Sequence, residues 1–264
     1  MPKLADHHAA SVVKILYLGD SGVGKTGSLV SLVKAGYKMH ILDMDNGLDI
    51  LLAFVKKDCP DLINNVDYES YRDGYKATAI GPTVDGVPRA YVNSLKAMTE
   101  WPVDKTKPSE WGPDHIFVID SFTGLSKAAF EWAKGMNPSA KDPRQWFHQA
   151  QQALENILSL LTSPAFKSNV IITAHVVLQD GPDGSTRGYA NSIGKALGPI
   201  IPTYFNTMLL AKSQGIGKSV KRTIETAPTT LLDLKNPVPF KIEQTYPLET
   251  GLSTIFATLK ETQQ

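Results

Sequence analysis

The stretch Gly19-Asp20-Ser21-Gly22-Val23-Gly24-Lys25-Thr26 constrains this chain more than any other, because it reads G-x-x-x-x-G-K-T between a strand pattern and a helix pattern. Val12 to Leu18, just before it, is β-branched and apolar. After it, Leu29, Val30, Leu32 and Val33 recur at helical spacing between Gly27 and Ala35, and Gly36 supplies a stop. Glycines in such a turn let consecutive backbone N–H groups converge on phosphate oxygens. The first turn of the following helix adds unpaired donors and a favourable dipole. Gly19 to Gly27 are therefore the expected phosphate cradle, with Lys25 reaching the β- and γ-phosphates and the Thr26 hydroxyl helping to hold Mg²⁺. The loop alone does not say which nucleotide binds, or to what end.

With 264 residues, 42% of them apolar and 20% charged, the chain can bury a full core as a globular protein. A net charge of +1 excludes a tail-driven or histone-like nucleic-acid binder, though not a local basic groove. A single cysteine, Cys59, excludes an intramolecular disulfide and a cysteine zinc cluster. No apolar run is long enough to span a membrane, and residues 1–11 lack a secretory core, so a cytoplasmic location is expected. His7 and His8 belong to what reads as a flexible leader over 1–11.

Further along, Lys38 to Asp45 reads as a second strand with carboxylates at its end, followed by an Asn46-Gly47 turn and a helix from Asp49 to Lys57. Val66 to Tyr71 is a shorter strand, residues 72–90 an exposed loop, and Tyr91 to Trp101 a helix. Tyr68, Tyr71 and Tyr75 suit base stacking, and a half-buried strand accounts for at least Tyr68 and Tyr71. His115 to Ser121 and Asn169 to His175 are continuous apolar runs, the pattern of buried parallel strands, ending in Asp120 and His175. Helices are expected over Ser121 to Lys134, Asp142 to Leu161 and, briefly, Ser192 to Ile201, with residues 178–190 as a loop. Two strands, Thr207 to Lys212 and Ser219 to Ala227, close a C-terminal hairpin over Gly215-Ile216-Gly217. The expected organisation is a core over 12–227 and an extension over 228–264 with a short helix from Leu252 to Leu259.

Strands alternating with helices in this order predict an α/β fold, a mostly parallel sheet with helices on both faces. Ligands in such sheets lie at the carboxyl ends of the strands. The phosphate loop, Asp43, Asp45, Asp120 and His175 all fall there. Asp120 suits the carboxylate of a Mg²⁺ shell or, equally by position, the cap of the helix that follows, a role open to Ser121 as well.

Ile41 to Asp49, Val118 to Leu125 and Ile171 to His175 together resemble the RecA-type recombinases. The likeness spans about residues 12–227 and implies a RecA-like P-loop core using ATP and Mg²⁺. By position, Asp45 matches the carboxylate that activates the attacking water, where bacterial recombinases carry glutamate. Asp120 matches the metal-binding carboxylate, and His175 the polar residue that senses the γ-phosphate. The compact chain and the histidine look closest to small phage-encoded ATPases of single-strand annealing and recombination. That likeness implies ATP hydrolysis coupled to single-stranded DNA, co-operation with a single-strand-binding protein, and a homo-oligomeric ring or filament. Arg187 and Tyr189 then match the second DNA-contacting loop, a reading that an ordinary surface loop rivals. Lys212, Lys218, Lys221 and Arg222 surround the hairpin from which such proteins send a basic residue to a neighbour's γ-phosphate, where a solvated strand face is the competing account. No separate N-terminal assembly domain is evident.

Other phosphate-loop classes fit less well. A kinase lid would be rich in arginine, whereas residues 178–190 carry only Arg187. The Asn-Lys-x-Asp motif of GTPases and the Leu-Ser-Gly-Gly-Gln motif of transporters are both missing. A nucleotide-gated assembly or packaging factor that does not bind DNA remains as the alternative.

Overall fold

Strands that are apolar on both sides need cover on both sides, and the continuous runs of this sequence lie in such a sheet. The computed structural model describes residues 12–181 and 184–261. The expected leader with His7 and His8, and Pro182 and Asp183, lie outside the described residues, as does the side chain of Lys218. In chain order the first strands are β1 (Lys14–Leu18), β2 (Lys38–Asp43), β3 (Val66–Ser70), β4 (Tyr75–Thr78), β5 (Gly81–Val84) and β6 (His115–Asp120). Then come β7 (Asn169–Ala174), β8 (Val176–Asp180), β9 (Thr186–Ala190), β10 (Thr207–Gln214), β11 (Lys221–Glu225) and β12 (Thr245–Pro247). The helices are α1 (Lys25–Ser28), α2 (Val30–Lys34), α3 (Asp49–Asp58), α4 (Ala90–Thr99), α5 (Phe122–Met136), α6 (Arg144–Thr162) and α7 (Leu248–Glu261).

Among the described residues, eight strands form one sheet in the order β12-β11-β10-β1-β7-β6-β2-β3. Pairing is parallel from β10 across to β3 and antiparallel only at β11 and β12. Side chains alternate between its faces as a pleated strand requires. Ile15 and Tyr17 of β1 join Leu29, Leu32, Leu51 and Ile255 on one side, while Leu16 and Leu18 join Leu125, Leu154 and Leu158 on the other. Helices α1, α2, α3 and α7 therefore cover one face, and α4, α5 and α6 the opposite one. The α/β class, the parallel sheet and the C-terminal hairpin of β10 and β11 are as the sequence predicts. Beyond residue 228, β12 adds to the edge of the same sheet and α7 packs on α2.

Three segments differ from expectation. Residues 72–90 contain the antiparallel hairpin β4–β5, and residues 178–190 lie largely in the hairpin β8–β9, so neither is a plain loop. Both are short, polar ribbons outside the main sheet, and polar ribbons lack the buried alternation that marks a strand. The helix expected over Ser192 to Ile201 is instead a set of turns leading to a short 3₁₀ segment, Ile201–Tyr204. Gly194 at φ 71° and Gly198 weaken that helix, and Pro199 and Pro202 remove backbone donors.

At the end of the sheet away from the phosphate loop, β2, β3 and β6 join through a partly buried polar relay. His40 Nδ1 lies 2.8 Å from Asp67 Oδ1, and His40 Nε2 lies 2.8 Å from His115 Nδ1. The two rings and the carboxylate thus form one chain of short polar contacts, in which each ring nitrogen donates or accepts according to its tautomer. Trp101 Nε1 also donates to Asp67, at 2.8 Å. The His40 ring stacks on Trp111 with centroids 3.8 Å apart. Burial first, then His40 and Lys38, push His115 below the ordinary histidine value, against the opposing pull of Asp114 and Asp104. Below about pH 6.5 the unfolded chain thus binds a proton that the folded chain refuses. The stability tied to His115 is present above that pH and is lost as pH falls through the lowered folded value. Urea midpoints measured between about pH 7.5 and about pH 5 should decline more steeply in the wild type than in His115→Gln. Equal slopes would remove His115 from the acid response.

Candidate active site

The phosphate loop leaves β1 at Leu18 and wraps into α1, so its position follows from the central place of β1 in the sheet. Gly24 has φ 104°, a left-handed conformation that favours glycine, and a Cβ there would lie 2.7 Å from Leu248 Cδ2. Lys25, only 7% exposed, turns back on its own loop. Its Nζ donates to Gly19 O at 2.8 Å and to Asp20 O at 2.9 Å. Burial lowers its pKa, and Asp120, Asp45 and Asp20 oppose that shift.

The two accounts of Asp120 are separated by the cap of α5. Ser121 Oγ accepts from Gly124 N at 3.2 Å and takes the capping role. The Asp120 carboxylate is left to accept from Thr26 Oγ1 at 2.6 Å and from Thr173 Oγ1 at 2.5 Å. Burial raises the Asp120 pKa; the bonds from Thr173 and Thr26 and the charge of Lys25 work against it, and Asp45 adds to it. A bound cation reverses that balance. The Thr26 and Asp120 pair suits Mg²⁺, which takes few protein ligands and fills its shell with phosphate oxygens and water. Among the described residues no group of three or more His, Cys, Asp or Glu could hold a metal ion.

Asp43 and Asp45 lie two residues apart in sequence but do different things. Asp43, 2% exposed, turns its Oδ1 to the N–H groups of Asp45, Asn46 and Gly47 at 3.2, 2.8 and 3.4 Å. Its Oδ2 accepts from Ser70 Oγ at 3.0 Å. It builds the turn; Asp45 is presented by it. The Asp45 carboxylate lies against the first turn of α5, where a Cβ on Gly124 would come within 2.7 Å of Asp45 Oδ1. Glycine at 124 permits that approach, and the helix N-terminus favours the anion.

A cleft of about 490 Å³ is lined by Ser21, Gly24, Lys25, Thr26, Asp45, Asp120 and His175, among others. His175 follows β7, and its backbone N–H donates to Thr123 Oγ1 at 3.1 Å. Burial, then the nearby Lys25 charge, depresses its pKa, against Asp45 and Asp120, and a lesser push from Lys127 adds to the depression. The ring is neutral at neutral pH and can donate from one nitrogen while accepting at the other.

Arg187, Tyr189, Lys212, Lys221 and Arg222 do not line that cleft. Arg187 Nη1 lies 3.0 Å from Asp233 Oδ1 in an ion pair at the surface, and Tyr189 is partly buried on the same hairpin strand. Register pairs Lys212 with Thr223 and Gln214 with Lys221, which sets Lys212 and Lys221 on one face of the hairpin and Arg222 on the other. The Arg222 stem lies beside its own phosphate loop, with Cδ 3.6 Å from where a Gly24 Cβ would stand. Tyr68 is 57% exposed on edge strand β3, and Tyr75 is 62% exposed. Sequence reasoning missed Arg72, and it gave no role to Thr123 or Thr173 although both lie in the Val118 to Leu125 and Ile171 to His175 stretches, since single hydroxyls and a loop arginine carry no spacing signal. Gly124 was visible as part of the Val118 to Leu125 stretch, but not its contact with Asp45.

A protein-family model described as an AAA domain matches residues 11–238. The chain belongs to the AAA domain family. Among solved structures, this AAA domain is similar to a KaiC-like protein of Pyrococcus horikoshii at 10% identity and TM-score 0.43, over 83% of this chain and 87% of that one. The RadB recombinase matches at 14% identity and TM-score 0.46, over 84% and 83%. The flagellar accessory protein FlaH of Methanocaldococcus jannaschii matches at 12% identity and TM-score 0.45, over 90% and 87%. A search of curated proteins finds no match. No helix among the described residues is long and apolar enough to cross a membrane.

Proposed function

We propose that this AAA domain is a Mg²⁺-dependent ATPase, converting ATP and water to ADP and phosphate, that acts on single-stranded DNA in recombination or annealing as a homo-oligomer. The observation that carries the ATPase reading is the meeting of Lys25, Thr26, Asp45, Asp120 and His175 around one cleft. Lys25 neutralises phosphate charge, Asp45 takes the proton of the attacking water, and His175 senses the γ-phosphate. When bound at Thr26 and Asp120, Mg²⁺ supplies further neutralisation of the phosphate oxygens.

Coupling to DNA is supported by the chain path. His175 O accepts from Asn191 N at 2.7 Å, and Thr123 Oγ1 donates to Asn191 O at 3.0 Å while accepting from His175 N. The two ends of the β8–β9 hairpin are thus tied directly to the sensing residue. A shift of His175 therefore moves the base of the element that carries Arg187 and Tyr189. Steady-state hydrolysis should rise several-fold with single-stranded DNA, by the order of magnitude typical of linked sites. Arg187→Ala should weaken DNA binding without altering ATP affinity in the absence of DNA.

One observation favours the alternative of a nucleotide-gated assembly factor. Arg187 is engaged by Asp233, and Gly188 N donates to Leu231 O at 2.7 Å, so the hairpin is docked on the 229–234 segment of its own chain. Hydrolysis that needs Lys25 but ignores DNA would select that reading.

A further inference from the structure

Just past β3 the chain makes a contact that the phosphate chemistry does not use. Arg72 donates from Nε to Met44 O at 3.3 Å and from Nη2 to Asp45 O at 3.1 Å. The guanidinium is exposed and grips two consecutive carbonyls, a fork that the point charge of lysine cannot copy. Next to it, Asp73 Oδ1 accepts from Arg89 N and Ala90 N at 2.6 and 3.0 Å, which ties this stretch to the start of α4. A cavity of about 280 Å³ lies on that side, with Asp45, Arg72, Tyr75, Gly124 and Lys127 in its walls. Asp45 lines both this cavity and the phosphate-loop cleft.

We propose that Arg72 is a positioning residue for Asp45, acting from the side away from the nucleotide; this rests on the ATPase reading above. The turn after β2 holds Asn46 at φ 57°, a left-handed conformation that a non-glycine residue adopts at a cost. Such a turn persists when its surroundings fix it on more than one side. Asp43 fixes its N–H groups, and Arg72 fixes the carbonyls of Met44 and Asp45. An aspartate base reaches one methylene less far than a glutamate, so its aim depends on the backbone more than on the side chain. A guanidinium on that backbone supplies what the shorter side chain gives up.

The test uses the full chain with Arg72→Ala and Arg72→Lys, measuring kcat and KM for ATP, ATP affinity at equilibrium, and amide exchange over residues 43–47. Arg72→Ala should lower kcat by about 10-fold to 100-fold, the scale of a small misplacement at the reacting centre. Affinity for ATP should stay within about twofold, since a group acting only through the base makes no ground-state contact. Exchange at 45–47 should quicken while that of the phosphate loop stays put, and Arg72→Lys should fall between the two. A wild-type kcat in Arg72→Ala, or a loss confined to KM and affinity, would overturn the proposal and leave the ATPase standing. If the wild type shows no hydrolysis that depends on Lys25, the ATPase reading fails and this proposal fails with it.

Discussion

Replacing Lys25 with methionine should cut ATP turnover sharply while leaving the chain folded. The ammonium is buried beside the loop, and burial lowers its pKa despite three carboxylates nearby, which is the mark of a charge kept for function at the expense of stability. Methionine keeps the unbranched stem and drops the charge. Against that relief stands the lost bond to Gly19 O, a carbonyl of a buried residue, which costs about 1–3 kcal/mol. The Asp20 carbonyl lies in an exposed residue and can take water instead. Turnover should fall by about 10²-fold to 10³-fold, as for other single charge-stabilising donors. Melting curves supply the second readout. At about 100 times its dissociation constant, Mg²⁺-ATP stabilises a binding-competent chain by about 2.7 kcal/mol, and the variant should lose most of that shift. Phosphate release at the wild-type rate in Lys25→Met would remove the loop from the chemistry, and a large drop in melting temperature without nucleotide would show that Lys25 also holds the fold.

The strands that position this site were legible because most of their residues are buried and apolar; His115–Asp120 and Asn169–Ala174 are examples. The residues at their ends were legible as well, since a polar side chain that terminates such a run lies at the edge where parallel sheets bind ligands. What stayed hidden lies outside the main sheet. The β4–β5 and β8–β9 hairpins bury little, so their sequences carry turn residues and polar side chains but no period. Asp45 was singled out only through the family resemblance; by residue pattern it and Asp43 both stand at the end of one strand, and only the turn decides which carboxylate folds onto backbone N–H groups. Arg187 looked free for a ligand in a polar loop, yet Asp233, 46 positions away, is its neighbour. Ion pairs across that distance in sequence depend on how the C-terminal segment returns over the sheet, which no local pattern records.

Asp45→Asn should keep ATP binding and lose hydrolysis by about 10²-fold to 10⁴-fold, the range for removing a positioned base. The amide is nearly isosteric, so it can hold the same place against Gly124, and the Asp43 turn beneath it is untouched. Retained binding with lost turnover separates this variant from Lys25→Met, in which binding weakens too. His175 provides an independent witness. Its pKa is set by burial, then lowered by Lys25 and raised by Asp45 and Asp120. Removing the Asp45 charge should therefore push His175 further down, whereas removing the Lys25 charge should let it rise. An NMR titration of the His175 ring in the two variants should move in opposite directions from wild type. Unaffected hydrolysis in Asp45→Asn would take Asp45 out of the mechanism. Lost hydrolysis with no movement of the His175 titration would place Asp45 too far from the sensing residue for the two to share one cleft. Opposite shifts with lost turnover would tie the base, the lysine and the sensor to one electrostatic unit, in which the histidine registers the charge of whatever occupies the space between them.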